Sequence, residues 1–319
     1  MSFFVPFKFV QAGPFILVHF IDANKLDLSY GFFRDTINDI NGGQPDKILE
    51  LNAWLATLKS NTYQLTSIGS IFHVSRCGST LLCQNLKASK QFLVLGEPGF
   101  LGAIYKEHSI IPEQLGSLVA KESLKLWNHW ACHQSKQLII KFTSGTIFYL
   151  QRIKHDFPQL KVLFLYREPS AVIESLTRKP TSYIKNPIWR KKLATLPKEL
   201  VEHHHEYTTE ASRIYLSSLA VMQTHFCQQS FLCEYSDLAN NFSDIINFFK
   251  PSEVQEDLNS QWQQTWSSKK GQWKSQKYIQ VKSETVDVFL QNNYKLINYL
   301  FIKYQEFNKA MLTTRTEID

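Results

Sequence analysis

The chain has 319 residues, 44% apolar and 13% aromatic, with a formal net charge of +7. That length and apolar supply fit one large α/β domain, or one domain with a sizeable extra segment, and fill a buried core easily. The basic balance calls for an anionic ligand; nucleic acid is not expected, because Lys and Arg are spread along the chain and no nucleic-acid module signature occurs.

Residues 1–65 read as a leading segment: a short apolar strand or two, then a helix near Pro45–Ser60, with Asn41-Gly42-Gly43 as a turn. The apolar stretch Phe9–Ile21 is broken by Gln11, Gly13, Pro14 and His19. It is too short to span a bilayer and lacks the flanks of a signal peptide, so no membrane partner and a cytoplasmic location are expected. Five cysteines, Cys77, Cys83, Cys132, Cys227 and Cys233, include no CxxC pair. An odd count in a long chain predicts free thiols in a reducing compartment, and neither a disulfide framework nor zinc.

From Ser67 strands and helices alternate. Strands are expected at Ile68–Val74, Phe92–Leu95, Gln137–Phe142, Leu160–Tyr166 and Ser230–Glu234. Helices are expected at Thr80–Lys87, Leu118–His133, Thr146–His155 and Ser170–Thr177, with a long one over Lys198–Cys227. Further helices are expected around Asp237–Phe249, Ser252–Trp266 and Val286–Lys309, and 178–197 is a basic, proline-containing irregular segment. This alternation predicts a parallel sheet with helices on both faces, a three-layer α/β fold.

The strongest local signal is Ile71-Phe72-His73-Val74-Ser75-Arg76-Cys77-Gly78-Ser79-Thr80-Leu81-Leu82, a strand, a tight turn and a helix start. Backbone N–H groups at Cys77–Thr80 would converge at a helix N-terminus, which is an anion site. The hydroxyls of Ser79 and Thr80 add donors, and Arg76 can sit over an oxyanion. No Lys follows Gly78, so the loop is not a Walker A motif, and strand 137–140 ends in Lys141 rather than a metal-binding Asp. A metal-free site is therefore expected.

Ser75–Leu82 resembles the 5′-phosphosulfate loop of the sulfotransferases that use 3′-phosphoadenosine 5′-phosphosulfate (PAPS), whose general form is P-[KR]-S-G-T-T followed by a helix. Here Ser75 stands where Pro is usual and Cys77 where Ser is usual. Lys161–Leu176 resembles the family's 3′-phosphate segment, in which a strand ends in Arg and a Ser follows on the next helix; Arg167 and Ser175 hold those places. Lys141-Phe142-Thr143 stands where many members have Lys-Thr-Pro, and Leu232-Cys233-Glu234-Tyr235-Ser236-Asp237-Leu238 is similar to the late Tyr-Glu-Asp-Leu element. Lys269-Lys270-Gly271-Gln272-Trp273-Lys274 resembles, in compressed form, the loop that closes over the 3′-phosphate.

The resemblance spans about Ile68 to Lys274. It implies a P-loop-like sulfotransferase domain over 66–319, with 1–65 as an N-terminal extension packed near the acceptor site. It also implies PAPS as co-substrate, PAP as product, and a nucleotide site of Arg76, Cys77, Gly78, Ser79, Thr80, Arg167, Ser175, Tyr235, Lys269, Lys270 and Gly271.

Sulfonate transfer needs a base for the acceptor proton and a cation near the leaving oxygen. Arg76 is the expected cation. Some branches of the family place a His after the strand-end Lys-Thr, and this chain has none there; others use a Glu after the phosphate-loop helix, which is Glu97 here. Burial near the acceptor is expected to raise the Glu97 pKa, and Lys141 to orient the sulfonate or acceptor. His73 reads as a satisfied core histidine, and His203–His205, like Glu202, Glu206 and Glu210, as a solvated helix face. A small-molecule acceptor, bound by loops 1–65, 98–116 and 178–215, is expected, with its identity and the oligomeric state left open. The rival readings are a P-loop kinase-like phosphotransferase and a non-catalytic PAP-binding protein.

Overall fold

The computed structural model describes residues 2–58, 63–181, 184, 193–201, 204–250, 262 and 289–318. Two strands, β1 (Phe4–Ala12) and β2 (Phe15–Asp22), turn at Gly13, whose φ of 58° a glycine adopts without strain. β3 (Lys47–Glu50) completes an antiparallel sheet in the order β1-β2-β3. The remaining strands are β4 (Gly69–His73), β5 (Phe92–Gly96), β6 (Gln137–Lys141), β7 (Lys161–Tyr166) and β8 (Ser230–Glu234). They form a five-stranded sheet, β5-β6-β4-β7-β8, in which every adjoining pair is parallel. All residues of β4 and β5 are buried, so both sheet faces are covered, which explains why these strands read as continuous apolar runs. The chain is α/β, as the alternation predicts.

The helices are α1 (Phe33–Asp39), α2 (Leu51–Thr57), α3 (Ser79–Ala88), α4 (Gly99–Tyr105), α5 (Glu113–His133), α6 (Leu150–Asp156), α7 (Pro169–Arg178), α8 (Lys198–Val201), α9 (Glu206–His225), α10 (Phe242–Phe249) and α11 (Tyr294–Ile318). None of them is long and apolar enough to cross a membrane. The first sheet is tied to the second layer through α5. Trp127 there is fully buried, donates its indole N–H to Pro6 O at 2.9 Å and meets the Phe33 ring edge-on at 5.5 Å. At the end of β5 a Cβ on Gly96 would lie 2.5 Å from Gly31 O. Glycine thus lets the leading segment press against the strand end and sets Phe32 beside it.

Several local expectations change. The helix expected near Pro45–Ser60 is a strand followed by a short helix, because residues 47–50 pair with β2 (Phe20 opposite Lys47, Leu17 opposite Glu50). The carboxylate of Glu50 then caps α2, accepting from Ala53 N–H at 3.1 Å. The stretch 144–156 begins as a 3₁₀ turn, Ser144–Tyr149, before α6. The long Lys198–Cys227 helix is interrupted: α8 stops at Val201, and α9 restarts with the His205 ring accepting from Tyr207 N–H. His205 is therefore a helix cap, and His204 bonds Asn293 at 2.9 Å. Glu210 is not on a solvated stripe; it is buried and pairs with Arg213 at 3.1 Å. The last helix runs further than expected, to Ile318. The helix expected over 252–266, apart from Trp262, and Glu202 and His203 lie outside the described residues.

Candidate active site

Parallel pairing sends the connections after β4, β6 and β7 out of one sheet edge, the edge where ligands of open α/β sheets bind. After β4 the backbone turns through Arg76, at φ 63°, and Gly78, at φ 80°, into α3. The N-cap of α3 is Gly78, which supplies no side-chain acceptor. The first intrahelical bond is Leu82 N–H to Gly78 O at 3.0 Å. The first turn therefore relies on an outside acceptor, and its dipole favours an anion. Ser79 and Thr80 line a cavity of about 470 Å³ at this point, together with Arg76 and Gly78. Cys77 does not line this cavity: its thiol is fully buried, and burial pushes its pKa up to about 12, so it is no nucleophile.

Glu97 and Lys141 line the same cavity. Lys141 ends β6 with its side chain 1% exposed, and its ammonium hydrogen-bonds the Glu97 carboxylate. The backbone of Glu97 is held as well, donating its N–H to Lys141 O at 2.7 Å. Glu97 has φ 58°, the left-handed region that a residue with a Cβ enters at a cost of about 1–3 kcal/mol. Two of the positive-φ non-glycine residues, Arg76 and Glu97, thus face one cavity, where backbone strain tends to collect.

The expected rise in the Glu97 pKa is not found. Burial alone would raise it, but the Lys141 ammonium, with a smaller contribution from Arg34, holds it below the ordinary glutamate value. Lys141 is committed to Glu97, and the Phe32 ring lies 5.3 Å from its ammonium. His73 is 3% exposed, with Val74 O and Phe142 O at 2.8 and 3.0 Å from its ring nitrogens. Burial lowers its pKa to about 4, so it stays neutral, in keeping with a core histidine.

Tyr235 joins the other predicted residues to the loop. Its ring lies so close to Gly78 that a Cβ there would sit 2.5 Å from two ring carbons. The Arg167 guanidinium lies over the same ring, 4.3 Å from the Tyr235 centroid. Arg167 leaves β7 just before α7, which Glu168 caps by accepting from Ala171 N–H at 3.0 Å, with Pro169 in the first turn. Ser175 is half-buried on α7. Its carbonyl takes the Lys179 N–H, and Lys179 O accepts from Arg76 Nη2 at 2.9 Å, so the end of α7 touches the loop. Arg76, the Arg167–Tyr235 stack and α7 therefore stand on one edge of the sheet. Lys269, Lys270 and Gly271 lie outside the described residues.

Sequence reasoning placed 1–65, 98–116 and 178–215 at the acceptor but did not single out Phe32, Ser75, Lys106, Thr143, Ser144 or Thr181, which with His73 complete the wall. Ser75 and Ser144 bond each other, Oγ to Oγ at 2.6 Å, bridging the ends of β4 and β6. Their signal was a pair of small hydroxyls after apolar strands; Phe32 had none, because its approach depends on Gly96. Beyond Glu97 a second cavity of about 880 Å³ shares Phe32, Glu97 and Thr181 with the first. Among the described residues no group of three or more His, Cys, Asp or Glu is placed to hold a metal ion.

No family model matches the sequence, and no curated protein matches it. Solved structures that match this chain include sulfotransferases. One is the sulfotransferase domain of the curacin biosynthetic pathway (16% identity, 60% of this chain and 77% of that one, TM-score 0.36). Another is a sulfotransferase from Alicyclobacillus acidocaldarius (14%, 74% and 97%, TM-score 0.36). A third is a sulfotransferase from Mycobacterium tuberculosis H37Rv (12%, 76% and 80%, TM-score 0.38).

Proposed function

We propose that this chain transfers a sulfonate group from PAPS to a hydroxyl or amine of a small-molecule acceptor. The observation that carries the reading is one cavity holding both an anion site and a fixed carboxylate: the α3 N-terminus with Arg76 on one side, Glu97 clamped by Lys141 on the other. The residues fit a bisphosphorylated adenosine. Gly78 lets the Tyr235 ring pack directly on the loop, α3 begins without a side-chain cap, and the Arg167–Tyr235 stack lies along the same edge for the second phosphate.

In the transfer, the acceptor oxygen or nitrogen bonds to sulfur as the bond from sulfur to the bridging phosphate oxygen breaks. Glu97 takes the acceptor proton. The α3 N-terminus and Arg76 hold the charge that grows on the leaving phosphate of PAP. Arg76 stays a cation even though burial and Arg178 lower its pKa, so it stabilises charge and does not donate a proton.

The test compares PAP with ATP and Mg²⁺ in thermal unfolding, followed by transfer of radiolabelled sulfonate from PAPS to a panel of phenols, alcohols and amines. Saturating PAP at one hundred times its Kd is expected to stabilise the fold by about 2.7 kcal/mol. Transfer is expected to persist in EDTA. A shift with ATP and Mg²⁺ but not PAP would favour the phosphotransferase reading; PAP binding without transfer to any acceptor would favour a non-catalytic binder. Gly78→Ala is expected to weaken PAP binding by about tenfold or more, since the new Cβ displaces Tyr235 and strains the turn at positive φ. Calorimetric titration of PAP into both proteins measures it; equal affinities would take the nucleotide away from this loop.

A further inference from the structure

The second cavity has a chemistry of its own. Its wall is aromatic: Phe7, Phe9, Phe33 and Phe100 are buried, with Phe9–Phe100 and Phe33–Phe100 centroids 6.4 and 6.0 Å apart. These rings belong to β1, α1 and α4, so the surface is built by the leading segment and the stretch after Glu97 together. A rigid wall of packed rings suits a flat apolar body. Lys8 and Arg34, both exposed, also line the cavity. Among its described lining residues Glu97 is the sole carboxylate, at the junction with the first cavity.

Arg34 contacts a carboxylate only loosely, Asp35 at 3.7 Å with its own side chain 83% exposed, yet it lies near enough to help hold the Glu97 pKa down. The cavity therefore combines a carboxylate base, a wall of aromatic rings and two exposed cations. We infer that this cavity binds the acceptor, and that the acceptor is an aromatic or flat apolar molecule that carries both a hydroxyl and an anionic group. The hydroxyl reaches Glu97, the apolar body lies on the Phe wall, and the anion faces Lys8 and Arg34. This inference rests on the sulfonate-transfer reading for the role of Glu97, while the binding preference itself does not.

A matched pair of probes tests it. The full chain is titrated by calorimetry with 6-hydroxy-2-naphthoate and with 2-naphthol, each with and without PAP, and PAP affinity is measured in the same preparations. The carboxylate compound is expected to bind about three- to tenfold more tightly, the gain for one exposed anion facing two cations. High salt and the double variant Lys8→Gln, Arg34→Gln should each bring the pair towards parity, whereas Arg34→Lys with Lys8 intact should keep the preference. Both side chains are exposed, so the variants are expected to fold, and unfolding midpoints verify it. Parity in the unmodified chain, or a preference that survives the double variant, overturns the inference. If PAP binds but the preference is missing, the acceptor subsite falls and the transfer reading stands. If the preference appears but PAP does not bind, the anion subsite stands and the transfer reading falls.

Discussion

Replacing Glu97 by Gln is expected to lower sulfonate transfer by about 10²- to 10⁴-fold, the usual contribution of a positioned general base, while PAP still raises the unfolding temperature. Gln is the informative substitution because so much of the local geometry survives it. The amide oxygen still accepts from Lys141, and the backbone N–H still donates to Lys141 O. What disappears is the ability to take a proton. The Lys141 pairing gives the base a mixed character: its pKa is held low, so it is ionised throughout the neutral range, but each proton transfer has less driving force. The loss should therefore appear in kcat and kcat/KM together, with KM for the acceptor little changed. Single-turnover assays with radiolabelled PAPS measure it. A variant that retains more than a tenth of the parent rate would show that Glu97 holds Lys141 in place and that the acceptor proton leaves by another route.

Much of the site was legible because its parts follow apolar strands. The loop Ser75–Thr80, Lys141 and Arg167 each sit at or just past the end of a strand, and parallel pairing brings such ends to one edge without further information. Glu97 follows β5 in the same way, so its neighbourhood was readable. Its protonation was not. The expected rise came from burial alone, and the contact that reverses it joins residues 97 and 141 across neighbouring strands, which periodicity does not report. Phe32 was invisible for a related reason: it reaches the cavity through a long connection that closes on Gly96. The misjudged elements have separate causes. Residues 47–50 have the composition of a helix start but become a strand because β2 offers them backbone partners, and the helix expected from Lys198 is recapped at His205 by a side chain.

The second large effect is expected from Lys141→Met, a substitution that keeps an unbranched side chain of similar reach and removes the charge. In the parent chain burial and Lys141 pull the Glu97 pKa in opposite directions, and the cation wins. Without it burial is the main remaining influence, so the carboxyl should titrate above its ordinary range rather than below it. The acid limb of the kcat/KM profile is then expected to move to higher pH by one unit or more, roughly the size of shift that an adjacent cation produces. Stability should follow with the matching sign. A carboxylate whose folded pKa is depressed contributes stability above its unfolded value, and that contribution is lost as pH falls through the folded pKa. Lys141→Met removes this contribution and leaves a half-buried carboxylate without its cation. At neutral pH that is expected to cost about 3 kcal/mol, at the low end for breaking a buried pair because Glu97 keeps 28% of its side chain exposed. The difference between parent and variant should shrink as pH falls through the depressed pKa of the parent carboxyl, below which Glu97 is neutral in both. Urea unfolding at neutral and acid pH and the pH profile of transfer read the two halves independently. A variant whose acid limb stays in place, with a stability deficit that does not vary with pH, would mean that Lys141 acts through packing against Phe32 and not through the charge of Glu97.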